Sequence, residues 1–177
     1  MTATDNNNNF EAATLPHLDA AYNLAWWLLR ERMAAEDVVQ ESLLRALTYF
    51  HSFHGINPRA WFLRIVRNEA YAALNARRQP GQVSLSDDPV QELAENLPDP
   101  GDTPEMALLR QREHQQLRNL IAELPTELRE CLILRELEDL PYKDIAQITG
   151  VPVGTVMSRL WRARQLLIKP REVVSIP

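Results

Sequence analysis

The stretch PYKDIAQITGVPVGTVMSRLWRAR, residues 141–164, decides the fold class. It reads as a helix, a tight turn and a second helix with three arginines on its outer side. Ala146 is small, so a second helix can cross closely. Gly150 follows four residues later, where the bend calls for a positive φ. Val156, Leu160, Ala163 and Leu167 then recur at i, i+4, i+7 and i+11, which makes one apolar stripe. Thr155, Ser158, Arg159 and Arg162 are left facing outward, toward the end of a recognition helix that enters a major groove. The pattern predicts a helix-turn-helix.

Working outward, residues 105–170 hold ten bases and nine acids, and residues 16–80 hold eight bases and six acids. Residues 81–104 hold no base and six acids: Asp87, Asp88, Glu92, Glu95, Asp99 and Asp102. The net charge of −5 is therefore concentrated in one Pro- and Gly-rich segment. Such a composition buries too little apolar surface to order itself and reads as a flexible linker. The fold class that follows is all-α: two small helical domains, 16–80 and 105–170, joined by an acidic linker. Residues 1–15, with Asn6 to Asn9, are expected to be a disordered tail, and 171–177 a second tail.

Three helices are expected in the first domain, over about 16–31, 34–50 and from Asn57 to about Arg78. Asn57 is a good N-cap, with Pro58 at the first helical position. In the second of them Val39, Leu43, Ala46 and Phe50 form the expected core stripe, while Asp37, Gln40, Glu41 and Leu44 form another stripe on the opposite side. The third carries Arg64, Arg67, Asn68, Tyr71, Asn75 and Arg78 within about 100° of arc. That face offers guanidiniums for phosphates and groups that bond to or stack on bases. An ordinary solvated face is the alternative, although such faces usually mix signs.

The connection YFHSFHGIN, 49–57, is aromatic and bends at Gly55. Phe53, His54 and Ile56 can stack on or pocket an unpaired base; the alternative is that Phe50 and Phe53 plug the core between two helices. His51 and His54 have no carboxylate or cysteine near them in sequence, so no metal site is expected. In the second domain Thr103 caps a helix beginning at Pro104, with Met106, Leu109, Leu117, Leu120, Ile121 and Leu124 expected inward. Pro125 ends that helix, and the next places Cys131 as a small buried hydrophobe.

One cysteine excludes an internal disulfide. No run approaches a membrane span and no signal peptide is visible, which favours the cytoplasm. There is no phosphate-binding glycine run, no zinc spacing and no nucleophile with a base. Neither an enzyme nor a cofactor is expected.

Taken together, AEDVVQESLLRAL (35–47), NPRAWFLRIVRNEAY (57–71), LPTELRECLILRELEDLPYKDIAQITGVPVGTVMSRLWRARQLL (124–167) and the acidic linker resemble a bacterial extracytoplasmic-function sigma factor over about 16–169. The resemblance implies a subunit that binds core RNA polymerase, at its clamp coiled-coil and flap, and directs it to promoter DNA. It implies that the first domain recognises and opens the upstream-ten element and that the second reads the upstream-thirty-five element as duplex. It assigns Asp37, Gln40, Glu41 and Leu44 to the polymerase. Phe53, His54, Ile56 and Asn57 fall in the loop that captures a flipped base, and Arg64, Arg67, Asn68 and Tyr71 on the helix that tracks the single strand. Thr155, Ser158, Arg159 and Arg162 fall on the recognition helix. An anti-sigma factor is an expected partner. A stand-alone helix-turn-helix regulator is the competing reading; it needs a dimerisation or effector element, and none is evident.

Overall fold

Pro58 opens a helix because Asn57 caps it: the Asn57 side-chain oxygen accepts a hydrogen bond from the Ala60 backbone N–H at 3.1 Å. Thr103 does the same for the helix at Pro104, accepting from the Met106 N–H at 3.2 Å. The computed structural model describes residues 3–78 and 99–169. Among them are α1 (Ala3–Thr14), a 3₁₀ turn (Leu15–His17), α2 (Leu18–Leu29), α3 (Arg32–Tyr49), a second 3₁₀ turn (Phe50–Ser52) and α4 (Pro58–Arg77). They continue with α5 (Pro104–Ala122), α6 (Thr126–Glu136), α7 (Tyr142–Thr149) and α8 (Val153–Ile168), and no strand occurs among the described residues. Residues 81–98 of the linker expected over 81–104, and the tail expected at 171–177, lie outside the described residues.

The first domain packs α2, α3 and α4 around Leu24, Leu28, Phe62, Leu63 and Val66, all buried. Small residues of α3, Ala35, Ser42 and Ala46, face that core and let the three helices approach closely. Val39, Leu43 and Phe50 are only partly covered, so the core stripe of α3 is rotated from the one expected, toward Ala35, Val38, Ser42 and Ala46. The turn between α2 and α3 is made by Arg30 at φ 59. A non-glycine residue pays strain there; the Arg30 guanidinium lies 4.2 Å from the Trp26 ring centre and 4.9 Å from that of Trp27, a cation–π contact that offsets it.

The helix-turn-helix forms as its sequence requires. Gly150 takes φ 74 and its N–H bonds to the Ala146 carbonyl at 2.9 Å. Val156, Leu160 and Ala163 of α8 are fully buried.

Two further expectations about single helices are corrected. Residues 3–14 are helical, not a tail: Ala13 and Thr14 are buried, and Phe10 meets Phe50 edge-to-face at 5.6 Å. The apolar anchor at one end of a polar Asn run outweighs that run's composition. On α5, Met106, Leu109 and Leu117 are about half exposed and no side chain is buried. Only Ile121, followed by Leu124, joins a small cluster with Leu128, Leu132 and Ala163. The stripe on α5 is real, but the described chain offers little for it to pack on.

Between the two domains the sequence predicts separation, whereas the structure joins them. α6 is buried from Leu128 to Leu134 without a break. A helix buried on every side, Arg129 and Glu130 included, needs neighbours all round; α8 and α7 supply two and α2 a third, while α4 packs on α7. One hydrophobic cluster therefore runs from Leu24 and Phe62 into Cys131, Ile145, Ile148 and Leu160. Burial and the nearby Glu130 charge push the Cys131 thiol up to about 11. With thiolate scarce and access closed, the native chain is expected to react with an aromatic disulfide reagent at pH 8 only as fast as it unfolds. Prompt labelling without denaturant would contradict the packing of α6.

Candidate polymerase and nucleic-acid interfaces

On α3 the exposed residues Met33, Asp37, Gln40, Leu44 and Leu47 recur at helical spacing and form a continuous outer stripe of apolar and acidic groups. Leu44 is 61% exposed and Met33 71%. Glu41 flanks the stripe and reaches Arg45 only at 3.8 Å, because Arg45 is drawn to Glu69 at 2.6 Å. The acids on this face are thus free to meet basic groups, with Leu44 and Leu47 adding apolar area.

In the turn before α4, Phe53 stacks on Phe50 (6.1 Å, 25°) and tilts against Trp61 (4.7 Å). A Cβ at Gly55 would stand 2.8 Å from the Phe53 ring, so a glycine is what lets the ring tuck in. Phe53 is consequently a half-buried member of an aromatic cluster. Its neighbours His54 and Ile56 are exposed, Ile56 completely. Asn57 spends its side-chain oxygen on the helix cap.

The arginine face of α4 is only partly open to solvent: Arg64, Asn68, Asn75 and Arg78 are exposed, whereas the second domain covers Arg67 and Tyr71. Arg67 donates through Nε and Nη2 to the two oxygens of Glu130 at 3.0 and 3.1 Å, and its guanidinium sits 3.9 Å over the Tyr71 ring. The Arg67 side chain is 19% exposed and Glu130 is 0% exposed. Arg64 is exposed and donates to the Gln147 carbonyl at 3.3 Å; Asn68 is exposed. In α8 the Arg159 side chain is 15% exposed, 3.5 Å from Glu127 and 3.9 Å from the same Glu130. Arg162 and Ser158 are exposed and Thr155 is half-buried. Arg67 and Arg159 are turned inward for a physical reason: Glu130 is a carboxylate in the middle of α6 and has to be paired to be buried.

The pair is uneven. Burial raises the Glu130 pKa despite the hydrogen bonds from Arg67. Burial also works against the charged Arg67, but its hydrogen bonds and charge contact with Glu130 outweigh that and hold it above its ordinary value. Tyr71, buried beside the Glu130 charge, is pushed up. Further polar ties cross the same boundary. Asn23 donates to Glu138 at 2.8 Å, and Arg59 donates to the Glu138 carbonyl at 2.9 Å and its carboxylate at 3.3 Å.

Two helical units, the second carrying a helix-turn-helix, match two family models: sigma-70 region 2 over residues 15–79 and sigma-70 region 4 over residues 114–167. The chain is 40% identical over 140 residues to an ECF RNA polymerase sigma-E factor of Haemophilus influenzae, covering 74% of this chain and 71% of the relative. It is 35% identical over 164 residues to the RNA polymerase sigma-H factor of Pseudomonas aeruginosa, covering 90% and 84%. The chain belongs to the extracytoplasmic-function sigma-factor family.

As a sigma factor it is a non-enzymatic initiation factor that works with core RNA polymerase at promoters. The fold is similar to a solved sigma factor, RpoE in complex with the anti-sigma factor NepR from Bartonella quintana, with a TM-score of 0.69, 28% identity, and 90% and 94% of the two chains covered. No helix among the described residues of this sigma factor is long and apolar enough to cross a membrane. Helix α1 and the buried Glu130 escaped sequence reasoning, whereas packing of Phe50 and Phe53 between two helices was one of the two readings left open. No sequence signal marked Glu130, which sits beside Arg129 in a helix that also carries Glu127, Arg135 and Glu136.

Proposed function

We propose that the α3 stripe, with Asp37, Gln40, Glu41 and Leu44, docks on the polymerase clamp coiled-coil, and that the second domain meets the flap. The turn 53–57 captures an unpaired base of the upstream-ten element. Arg64, Arg67, Asn68 and Tyr71 follow the separated strand. Thr155, Ser158, Arg159 and Arg162 read the upstream-thirty-five duplex from the major groove. The factor acts in the cytoplasm, and an anti-sigma protein holds it when it is idle; a sigma factor of similar fold that is solved with such a partner supports this.

The observation that carries the reading is the shared use of Glu130. An arginine of the strand-tracking helix is bonded to this carboxylate at both its oxygens, and an arginine of the recognition helix lies 3.9 Å from it, beside Glu127 at 3.5 Å. The described arrangement is then a closed form, and the two domains part before both arginines reach phosphate or base edges. Unstacking a base costs a few kcal/mol and stacking returns about 1–3 kcal/mol per base. With the opening cost added, the free chain binds promoters weakly, and contacts with polymerase supply the difference.

Run-off transcription with purified core polymerase tests this. Promoter-dependent transcripts are expected with the chain present and none with core alone. Tight promoter binding by the chain alone, without transcripts, would instead make it a stand-alone regulator.

A further inference from the structure

Between α1 and the turn after α3 lies an open cavity of ≈ 560 Å³. Phe50 and Phe53 form its aromatic side; Asn6 and Asn9, one turn apart on α1, stand on one edge, and His51 and His54 on another. No Lys, Arg, Asp or Glu lines it. A phosphate or a carboxylate finds no counter-charge there, while a neutral planar ring finds aromatic walls and hydrogen-bonding edges.

The polar groups are poised for reading. Asn7, on the neighbouring face, is used up by Glu11 at 3.3 Å, whereas the Asn6 and Asn9 amides make no hydrogen bond among the described residues. His51 Nδ1 lies 3.1 Å from the Thr48 carbonyl. A carbonyl only accepts, so Nδ1 carries the hydrogen and donates, and in the neutral ring Nε2 is left as a bare acceptor at the other end. An amide can turn to present donor or acceptor to any base, but the His51 acceptor cannot. It matches an exocyclic amine and opposes an exocyclic carbonyl.

We propose that α1 completes a base-reading pocket in which Asn6, Asn9 and His51 select an unpaired base bearing an exocyclic amino group, adenine or cytosine. This rests on the assignment of the 53–57 turn to base capture and adds to it a wall from the N-terminal helix. Asn6 and Asn9 bond the amine and the adjacent ring nitrogen, as an asparagine does with adenine in a groove. The aromatic side supplies sequence-tolerant stacking, and the amides and imidazole supply the choice.

The test uses holoenzyme reconstituted from core polymerase and the full chain, with fluorescence anisotropy on single-stranded oligonucleotides that carry the upstream-ten element of a promoter it transcribes. Each position is changed in turn to A, C, G and T. At one position A and C should bind roughly tenfold tighter than G and T. The N6A/N9A double variant should reduce that ratio to about twofold or less, and His51→Phe, which keeps the ring but removes the acceptor, should remove the bias against carbonyl bases. Co-purification with core polymerase controls for folding. If the wild type discriminates and both variants discriminate equally well, α1 and His51 are not the readers and the proposal is overturned. If the wild type shows no base preference at any position, base capture by the turn itself is wrong and the pocket falls with it.

Discussion

Glu130→Ala is expected to lower the unfolding free energy by about 3–5 kcal/mol, the range for removing one partner of a buried pair. The carboxylate is 0% exposed and takes a bidentate bond from Arg67 at 3.0 and 3.1 Å, with Arg159 at 3.9 Å. Without it the mostly covered Arg67 guanidinium loses its counter-charge, and Arg159 keeps only Glu127 at 3.5 Å. The Arg159 Nη1 atom is buried and, among the described residues, has no hydrogen bond to fall back on. Desolvation, not loss of attraction, sets the size of the effect. For that reason Glu130→Leu with Arg67→Met, which removes acid and base together, should recover most of the loss. Urea unfolding followed by far-ultraviolet dichroism measures both, read as a shift of midpoint at constant slope. A loss below about 1 kcal/mol for Glu130→Ala would mean that the domains do not meet through this residue in solution.

Reversal of charge on the α3 stripe is the second large effect. Glu41→Arg should weaken association with core polymerase by at least about thirtyfold, since it replaces an attractive contact by a like-charge clash costing several kcal/mol. Stability should hardly change: Glu41 is exposed, and among the described residues its only ion pair is the long one to Arg45 at 3.8 Å, whose loss is worth a few tenths of a kcal/mol. Co-purification from a mixture with core polymerase gives the readout, with helicity as the control. Retention equal to wild type would remove Glu41 from the interface.

How legible each part was follows from the range of the forces involved. The Asn57 and Thr103 caps, Pro58 and Pro104 at helix starts, Gly150 at the bend and the Val156–Leu160–Ala163 stripe all act within a turn or two. Such short-range rules are written in residue order. The α3 stripe was legible for the same reason, and its acids and Leu44 are exposed as their spacing implies. Phe53 was left open between core and base capture; only the packing of Phe50 and Trp61 around it decides that its ring is half-buried. Helix α1 was misread because composition alone does not reveal that Phe10 has Phe50 to pack against.

Residue order by itself determined the helices from α2 onward, the helix-turn-helix, and the family to which the chain belongs. Tertiary structure alone decided that the two domains share one core, that α1 folds back beside the aromatic turn, and that Arg67 finds Glu130 across 63 residues. Charge pairs and apolar faces far apart in sequence carry no mark of their partner. Which cation a buried acid takes is settled by how the helices that carry them pack, because the cost of burying a lone charge forces the nearest opposite one inward.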